Sequence, residues 1–324
     1  MDVVVGAGLA GLMAARRLQA AGHDVVVVDK GRAVGGRLAT RRITADGVGE
    51  ARLDHGAQFF TVRGETLGDL VAELTAADLV RVWAHGFGDH DGHPRYVVPT
   101  GMTALAKHLA RGLDVQVGVE LRAIGPGPAG WRLVADDTAY DADAVVLTAP
   151  VPQSLALLAA GDTVLDAELA AGLAAIEYDR VLAVLAVLDG APALPAPGGV
   201  QLADGPFTFV ADNAAKGVSD VPALTLHTTD AVARARWDDD PDTVLADLLA
   251  AAAPWIGTAR VAAAQLKRWR YAAPRRTWPD RCCVAATDPG PLVLAGDAFD
   301  GPRIEGAVDS GVAAADAVLA ASGD

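Results

Sequence analysis

The sequence predicts an α/β fold in which a nucleotide-binding domain, made from separated segments, carries an inserted α+β domain. Three observations predict it. A glycine-rich turn joins strand to helix at the start, a fully apolar second strand closes that unit, and a strand followed by Gly-Asp and a helix ends the chain. With 324 residues and 52% hydrophobic content, the chain exceeds one core of ordinary size, so two closely packed domains are expected.

The opening unit runs Asp2–Val5, a short apolar strand, then Leu9–Ala21 with Leu9, Leu12, Met13 and Leu18 at helical spacing. Gly22 is placed as the helix stop, and Val25-Val26-Val27-Val28 reads as a central parallel strand covered on both faces. Gly6-Ala7-Gly8-Leu9-Ala10-Gly11 between strand and helix is a G-x-G-x-x-G of the Rossmann type. Its first glycine permits the turn, its second lets a pyrophosphate approach the backbone, and its third lets helix pack on strand. The positive end of the helix then faces the phosphates, and Asp29, ending the second strand, is the expected acceptor for a ribose hydroxyl.

Gly31 to Gly64 is rich in Gly and Arg with low periodicity and is expected to be loop around the ligand. Leu67 to Val82 reads as one amphipathic helix over 67–83, followed by a polar turn, Gly86 to Pro94. Thr103–Leu113 looks helical; Val115–Val119, Trp131–Ala135 and Ala144–Thr148 look like strands, the last ended by Pro150 and Pro152. Further on, helices are expected at Ser154–Ala160, Leu165–Ala175 and Asp242–Ala253, and strands at Val181–Leu188, Phe207–Val210 and Ala223–His227. Leu292–Ala295 is a buried-type strand and Ala307–Ala321 a helix. The predicted division is 1–66, 96–150 and 285–324 for the nucleotide domain, with 67–95 and 151–284 forming the substrate domain.

The net charge of −14 disfavours nucleic acid and anionic membranes as partners, leaving a small-molecule substrate. Cys282 and Cys283 are adjacent, which excludes a disulfide framework and makes a reducing cytoplasmic setting the default. No signal-peptide pattern and no run of about 18 apolar residues is visible. His85, His90 and His93 with Asp89 and Asp91 read as a solvated turn and not as a metal site, and no G-x-S-x-G nucleophile elbow occurs.

The residues after the second strand separate FAD from NAD. Gly35-Gly36-Arg37 supplies paired glycines and a planar cation that can wrap a pyrophosphate from its far side. At the far end, Gly296-Asp297 follows the strand, and Arg303-Ile304-Glu305-Gly306 leads into the last helix at Ala307. Asp297 is expected to accept ribityl hydroxyls, and the helix N-terminus to face the flavin pyrimidine edge.

Together with Asp54-His55-Gly56-Ala57-Gln58, these motifs resemble the flavin amine oxidase superfamily. The stretches DHGAQFFT (54–61), VPTGMTALAKHL (98–109), LTAPVPQSLALL (147–158), LHTT (226–229), KRWRY (267–271) and 295–311 are similar to its renalase-like branch, a resemblance that runs along nearly the whole chain. The resemblance implies a p-hydroxybenzoate hydroxylase-like fold and noncovalent FAD. It also implies oxidation of 2- and 6-dihydro-NAD(P) isomers, with O2 reoxidising the cofactor to give H2O2. Cofactor contacts are then expected at Gly6, Gly8, Leu9, Ala10, Gly11, Asp29, Lys30, Gly36, Arg37, Gly56, Ala57, Gln58, Leu121, Gly296, Asp297, Glu305, Gly306 and Ala307.

For the substrate, the expected residues are His227 at a strand end, Trp269 between Arg268 and Arg270, and Arg303. Amine oxidases of the family place a cage tyrosine where this chain has Arg303, and a cation there repels a substrate ammonium. None of Lys30, Lys107, Lys216 and Lys267 matches the context of the family's flavin lysine; Lys216 reads equally as a substrate contact or a surface residue. Cys282 and Cys283 lie outside the motif of the covalent relatives, in an Arg- and Pro-rich loop. An amine oxidase and a FAD-binding protein without turnover are the alternative readings.

Overall fold

The computed structural model describes residues 1–87, 90–299 and 301–323, with backbone alone at His90 and Asp91. Its first sheet has six strands in the order Cys283–Ala286, Leu292–Leu294, Ala144–Leu147, Asp2–Val5, Val25–Asp29 and Asp114–Val117. All neighbours are parallel except the first pair. The strand side chains alternate between two cores, as pleating requires. Val4 and Val27 face the helices Leu9–Ala20, Glu65–Ala76, Thr103–Leu109 and Ile304–Ser322. Val3, Val5, Val26 and Val28 face a small three-stranded sheet and the helices Val151–Ala160 and Ala167–Ala174. Burial on both faces is the reason these strands are unbroken valine runs.

A second large sheet is antiparallel, ordered Gly199–Gln201, Phe207–Asp212, Ala223–Thr228, Tyr178–Leu188 and Val261–Pro274. One face is covered by the helices of residues 230–256. The opposite face meets Ile43, Ala45, Ala51 and Leu53. These four belong to a hairpin, Thr40–Ala45 with Gly49–Asp54, inside the stretch expected to be loop. The expectation fails because only one side of the hairpin is buried, and its outward side carries Arg42, Thr44 and Glu50.

Two further boundaries differ. The helix expected over 67–83 ends at Ala76, Asp78 takes φ +53, and the chain turns into the strand Arg81–Phe87. A left-handed residue cannot continue a right-handed helix. The shortened helix packs Leu67, Leu70, Val71 and Leu74 beside the first sheet, not with the antiparallel one its expected domain assignment implied. The helix expected to 113 stops at Leu109. Cys283 begins a strand instead of lying in a loop. Gly86 to Pro94 joins two antiparallel strands, and its tip at Gly88 and Asp89 lies outside the described residues.

Candidate functional site

Between the two sheets lies a cavity of about 1680 Å³. Sites for drug-sized ligands are roughly 300–1,000 Å³, so this one accommodates a dinucleotide cofactor together with a second molecule. Every expected cofactor and substrate residue lines it except Gly11 and Gln58, which stand behind its wall.

One end is made of backbone. The first helix begins at Gly8 with no side-chain cap and no acid in its first turn, leaving its N-terminal N–H groups to the cavity end. Three glycines there act differently. A Cβ on Gly11 would stand 1.9 Å from the Gly6 carbonyl oxygen, so this glycine serves the close packing of helix on turn. A Cβ on Gly8 would meet no protein atom within 4 Å, so its neighbourhood is left to a ligand. Gly36, at φ +52, sits over the turn, where a Cβ on it would stand 3.6 Å from Gly8 Cα. The last helix joins this floor, because Gly311 sits where a Cβ would meet the Ala10 carbonyl oxygen at 2.3 Å. An open glycine cradle at an uncapped helix N-terminus suits a diphosphate.

The charged residues of this end are already engaged, Arg37 and Asp297 with each other and the acids Asp29 and Glu305 with main-chain N–H groups. Asp29 accepts from the Ala7 and Gly31 N–H groups at 2.6 Å each, tying the glycine turn to the chain just after the second strand. Arg37 donates twice to Asp297, at 2.6 Å each, in a fork-to-fork pair. Glu305 accepts from the backbone N–H groups of Arg63 and Gly64 and so ties the last helix to the loop before residue 65. Each of the three lines the cavity as well.

The other end is made of side chains. The His55 ring stacks on Trp269 at 5.3 Å and 24°. The His55 carbonyl oxygen accepts from Trp269 Nε1 at 2.7 Å and lies 3.2 Å from His227 Nε2, so one backbone oxygen positions both rings. Burial and the Lys267 charge lower the His55 pKa to about 4, while burial and the Lys216 charge lower that of His227 to about 4. Both imidazoles are therefore neutral near pH 7, and His227 donates from Nε2 to the carbonyl. Phe59 forms the adjoining wall with Arg95 stacked on it, 5.0 Å from the ring centre.

Behind these rings is a buried polar cluster that the sequence did not disclose. Lys216, read as a substrate contact or surface residue, has zero exposure and makes no part of the cavity wall. Its Nζ donates to Asp54 Oδ2 at 3.0 Å and Gln58 Oε1 at 3.2 Å. Gln58 in turn donates to the Asp54 carbonyl at 2.6 Å. Asp54 also accepts from Thr40 Oγ1 and from the Met102 N–H. The cluster joins the hairpin to the antiparallel sheet, with burial pushing the Lys216 pKa down. Cavity residues without an expected role include His55, Phe59, Arg63 and Arg95. His55 and Arg63 flank the quoted DHGAQFFT motif or lie within it, which was the available signal.

Among the described residues no group of three His, Cys, Asp or Glu side chains could hold a metal ion, and no helix is long and apolar enough to cross a membrane. Asp89, one of the residues of the rejected metal reading, lies outside the described residues.

The fold and cavity match known proteins. An NAD(P)-binding Rossmann-like domain matches residues 4–74, and the flavin containing amine oxidoreductase family matches residues 82–319. Lysine-specific histone demethylase 1 homolog 1 of Arabidopsis thaliana is 47% identical over 74 residues, which is 22% of this chain and 9% of that protein. The chain thus spans far less than two thirds of that relative's length. Cyclohexylamine oxidase from Brevibacterium oxydans IH-35A superposes with a TM-score of 0.70 at 14% identity, covering 100% of this chain and 99% of the other. Putrescine oxidase bound to putrescine superposes with a TM-score of 0.69 at 18% identity, covering 98% of each chain. At these identities the structures share the fold. A Rossmann-like dinucleotide unit in a flavin-containing family makes FAD the cofactor. The chain belongs to the flavin containing amine oxidoreductase family, with the mixed α/β fold of its FAD-dependent oxidoreductases.

Proposed function

We propose that the protein oxidises dihydronicotinamide dinucleotide isomers, the 2- and 6-dihydro forms of NAD(P), to NAD(P)+, as its renalase-like motifs suggest. Noncovalently bound FAD would supply the hydride acceptor, with O2 as the final acceptor giving H2O2. The chain's residues position and discriminate. Gly8, Gly36 and the N-terminus of the first helix would hold the cofactor's phosphates, and Arg37 and Asp297 would hold it from the opposite strand end. His55, His227 and Trp269 hold the substrate ring, all three uncharged near neutral pH. A dihydropyridine ring gains positive charge as it loses hydride, and an aromatic face without a protonated neighbour stabilises that change.

The observation that carries this reading is Arg303. Its guanidinium lines the cavity and pairs with no carboxylate among the described residues, and the same holds for Arg63. Glu305, the acid nearest in sequence to Arg303, is engaged with backbone N–H groups instead. Two unneutralised cations repel an ammonium and welcome a phosphate-bearing substrate.

Anaerobic mixing of the purified holoprotein with partly isomerised NADH tests it, followed by the visible flavin absorbance. Fast bleaching by the minor isomers is expected, with ordinary NADH and simple amines slow. Fast bleaching by an amine would replace this reading with that of an amine oxidase. Bleaching by neither would remove both.

A further inference from the structure

Outside the chamber, at the end of the antiparallel sheet, two arginines share one indole. The Arg180 guanidinium carbon lies 4.8 Å from the Trp237 ring centre, and that of Arg270 lies 5.9 Å from it. The two come together through strand register. Val181 pairs with Trp269 across the strands Tyr178–Leu188 and Val261–Pro274, so the next positions along them bear Arg180 and Arg270. A register shift between Asp179 and Val181 falls at Arg180 itself. Val181, Trp269 and Arg270 all line the cavity, so the pair adjoins it.

Like charges gathered on one ring are unfavourable unless something neutralises them. No carboxylate pairs with either guanidinium among the described residues, although acids are near in sequence. Asp230 is engaged by Arg234, Arg275 and the Arg180 backbone N–H. Asp179 is engaged by Arg275, Asp239 by Arg236, and Asp240 caps the helix that starts at Pro241. Asp238, exposed in the same turn, pairs with neither arginine. Trp237 packs on the core below and holds both cations against its ring.

We propose that Arg180 and Arg270, held on Trp237, bind the diphosphate of a dinucleotide substrate whose ring occupies the Trp269 chamber. The inference rests on the proposed function and adds a second site to it. A planar guanidinium binds phosphate oxygens in two places, and two of them match the charge of a diphosphate. Trp269 and Arg270 are consecutive and leave opposite faces of the edge strand Val261–Pro274, so the substrate would cross that edge between its ring contact and its phosphate contact.

Two measurements on the FAD-loaded protein test the site. In the first, binding of inorganic pyrophosphate is followed by calorimetry, which requires no turnover. Arg180→Gln and Arg270→Gln are each expected to weaken it about tenfold, the loss of one charge-assisted contact, and Arg180→Lys to restore part of it. In the second, the same variants are expected to raise KM for the dihydro-dinucleotide isomers about tenfold with kcat within about twofold, because the lost contact binds ground state and transition state alike. Pyrophosphate affinity and KM unchanged in both glutamine variants would overturn the site, even with the isomers good substrates. Loss of pyrophosphate binding in the variants, in a protein that oxidises no isomer, would keep the anion site and sink the activity reading.

Discussion

The two ends of the cavity are built from different materials. At the cofactor end the ligand surface is main chain: Gly6 to Gly11, Gly36 and the N-terminus of the first helix, all within the opening stretch. At the substrate end it is side chain: His55, His227 and Trp269, brought from three distant segments to one carbonyl oxygen. Main-chain surfaces need particular residues at particular spacings, because only glycine leaves the room. A side-chain surface needs only that its elements meet, and many sequences achieve that. On the proposed function, the first end is a fixed holder for the cofactor and the second sets specificity.

That difference can be tested by breaking each end. The largest effect is expected behind the substrate end. Lys216→Met leaves the Asp54 carboxylate buried without its cation and should cost about 3–5 kcal/mol, read as a lower urea midpoint at an unchanged slope. Adding Asp54→Asn to that variant should recover part of the loss. An unchanged midpoint in Lys216→Met would mean the pair holds nothing together. Next comes Gly11→Val, which drives carbon into the Gly6 carbonyl and should destabilise by about 1–3 kcal/mol or more, with low recovery of folded protein. Gly8→Val is its counterpart at the same motif. With no protein atom within 4 Å of the new Cβ, the variant should fold with a melting temperature near that of the parent apoprotein, yet purify colourless. A yellow Gly8→Val protein would remove the phosphates from that turn.

The smallest effect concerns pH. His55 and His227 have folded pKa values of about 4, below the ordinary 6.5. Unfolded chains bind more protons than the native state between these values, so stability rises with pH there. The contribution is complete above pH 6.5 and is lost as pH falls towards 4. Melting temperature should follow that slope, and His227→Gln should flatten part of it. Turnover, in contrast, should show no acid limb near 6.5 from either ring; such a limb would mean that a histidine of the wall titrates normally.

The same contrast explains what the sequence disclosed. The glycine motif, the valine strands and the closing Gly-Asp are legible because backbone geometry restricts residue choice. Arg37 and Asp297 were each assigned to the ligand, and each lines the cavity, but their mutual pairing joins positions 260 residues apart and has no local signature. The hairpin inside 31–64 escaped notice because its buried set, Ile43, Ala45, Ala51 and Leu53, is small and half alanine. Lys216 was misjudged for a stronger reason. A lysine is almost never fully buried, and only the distant Asp54 and Gln58 make it possible here. The 14-residue strand Val261–Pro274 shows little alternation in its first half, where alanines dominate, so only its KRWRY segment stood out.

The carbonyl oxygen at position 55 has a consequence for how this wall can evolve. It belongs to the main chain, so no codon change at that position removes it. His55, His227 and Trp269 can each be exchanged, one at a time, while the anchor point for the others persists. A lineage could therefore sample new ring-binding walls without first losing the frame that orients them. A substitution scan of residue 55 would report the value of the imidazole alone and leave the oxygen invisible. Only a change in chain path, such as an insertion between Asp54 and Gly56, would expose how much the wall depends on it.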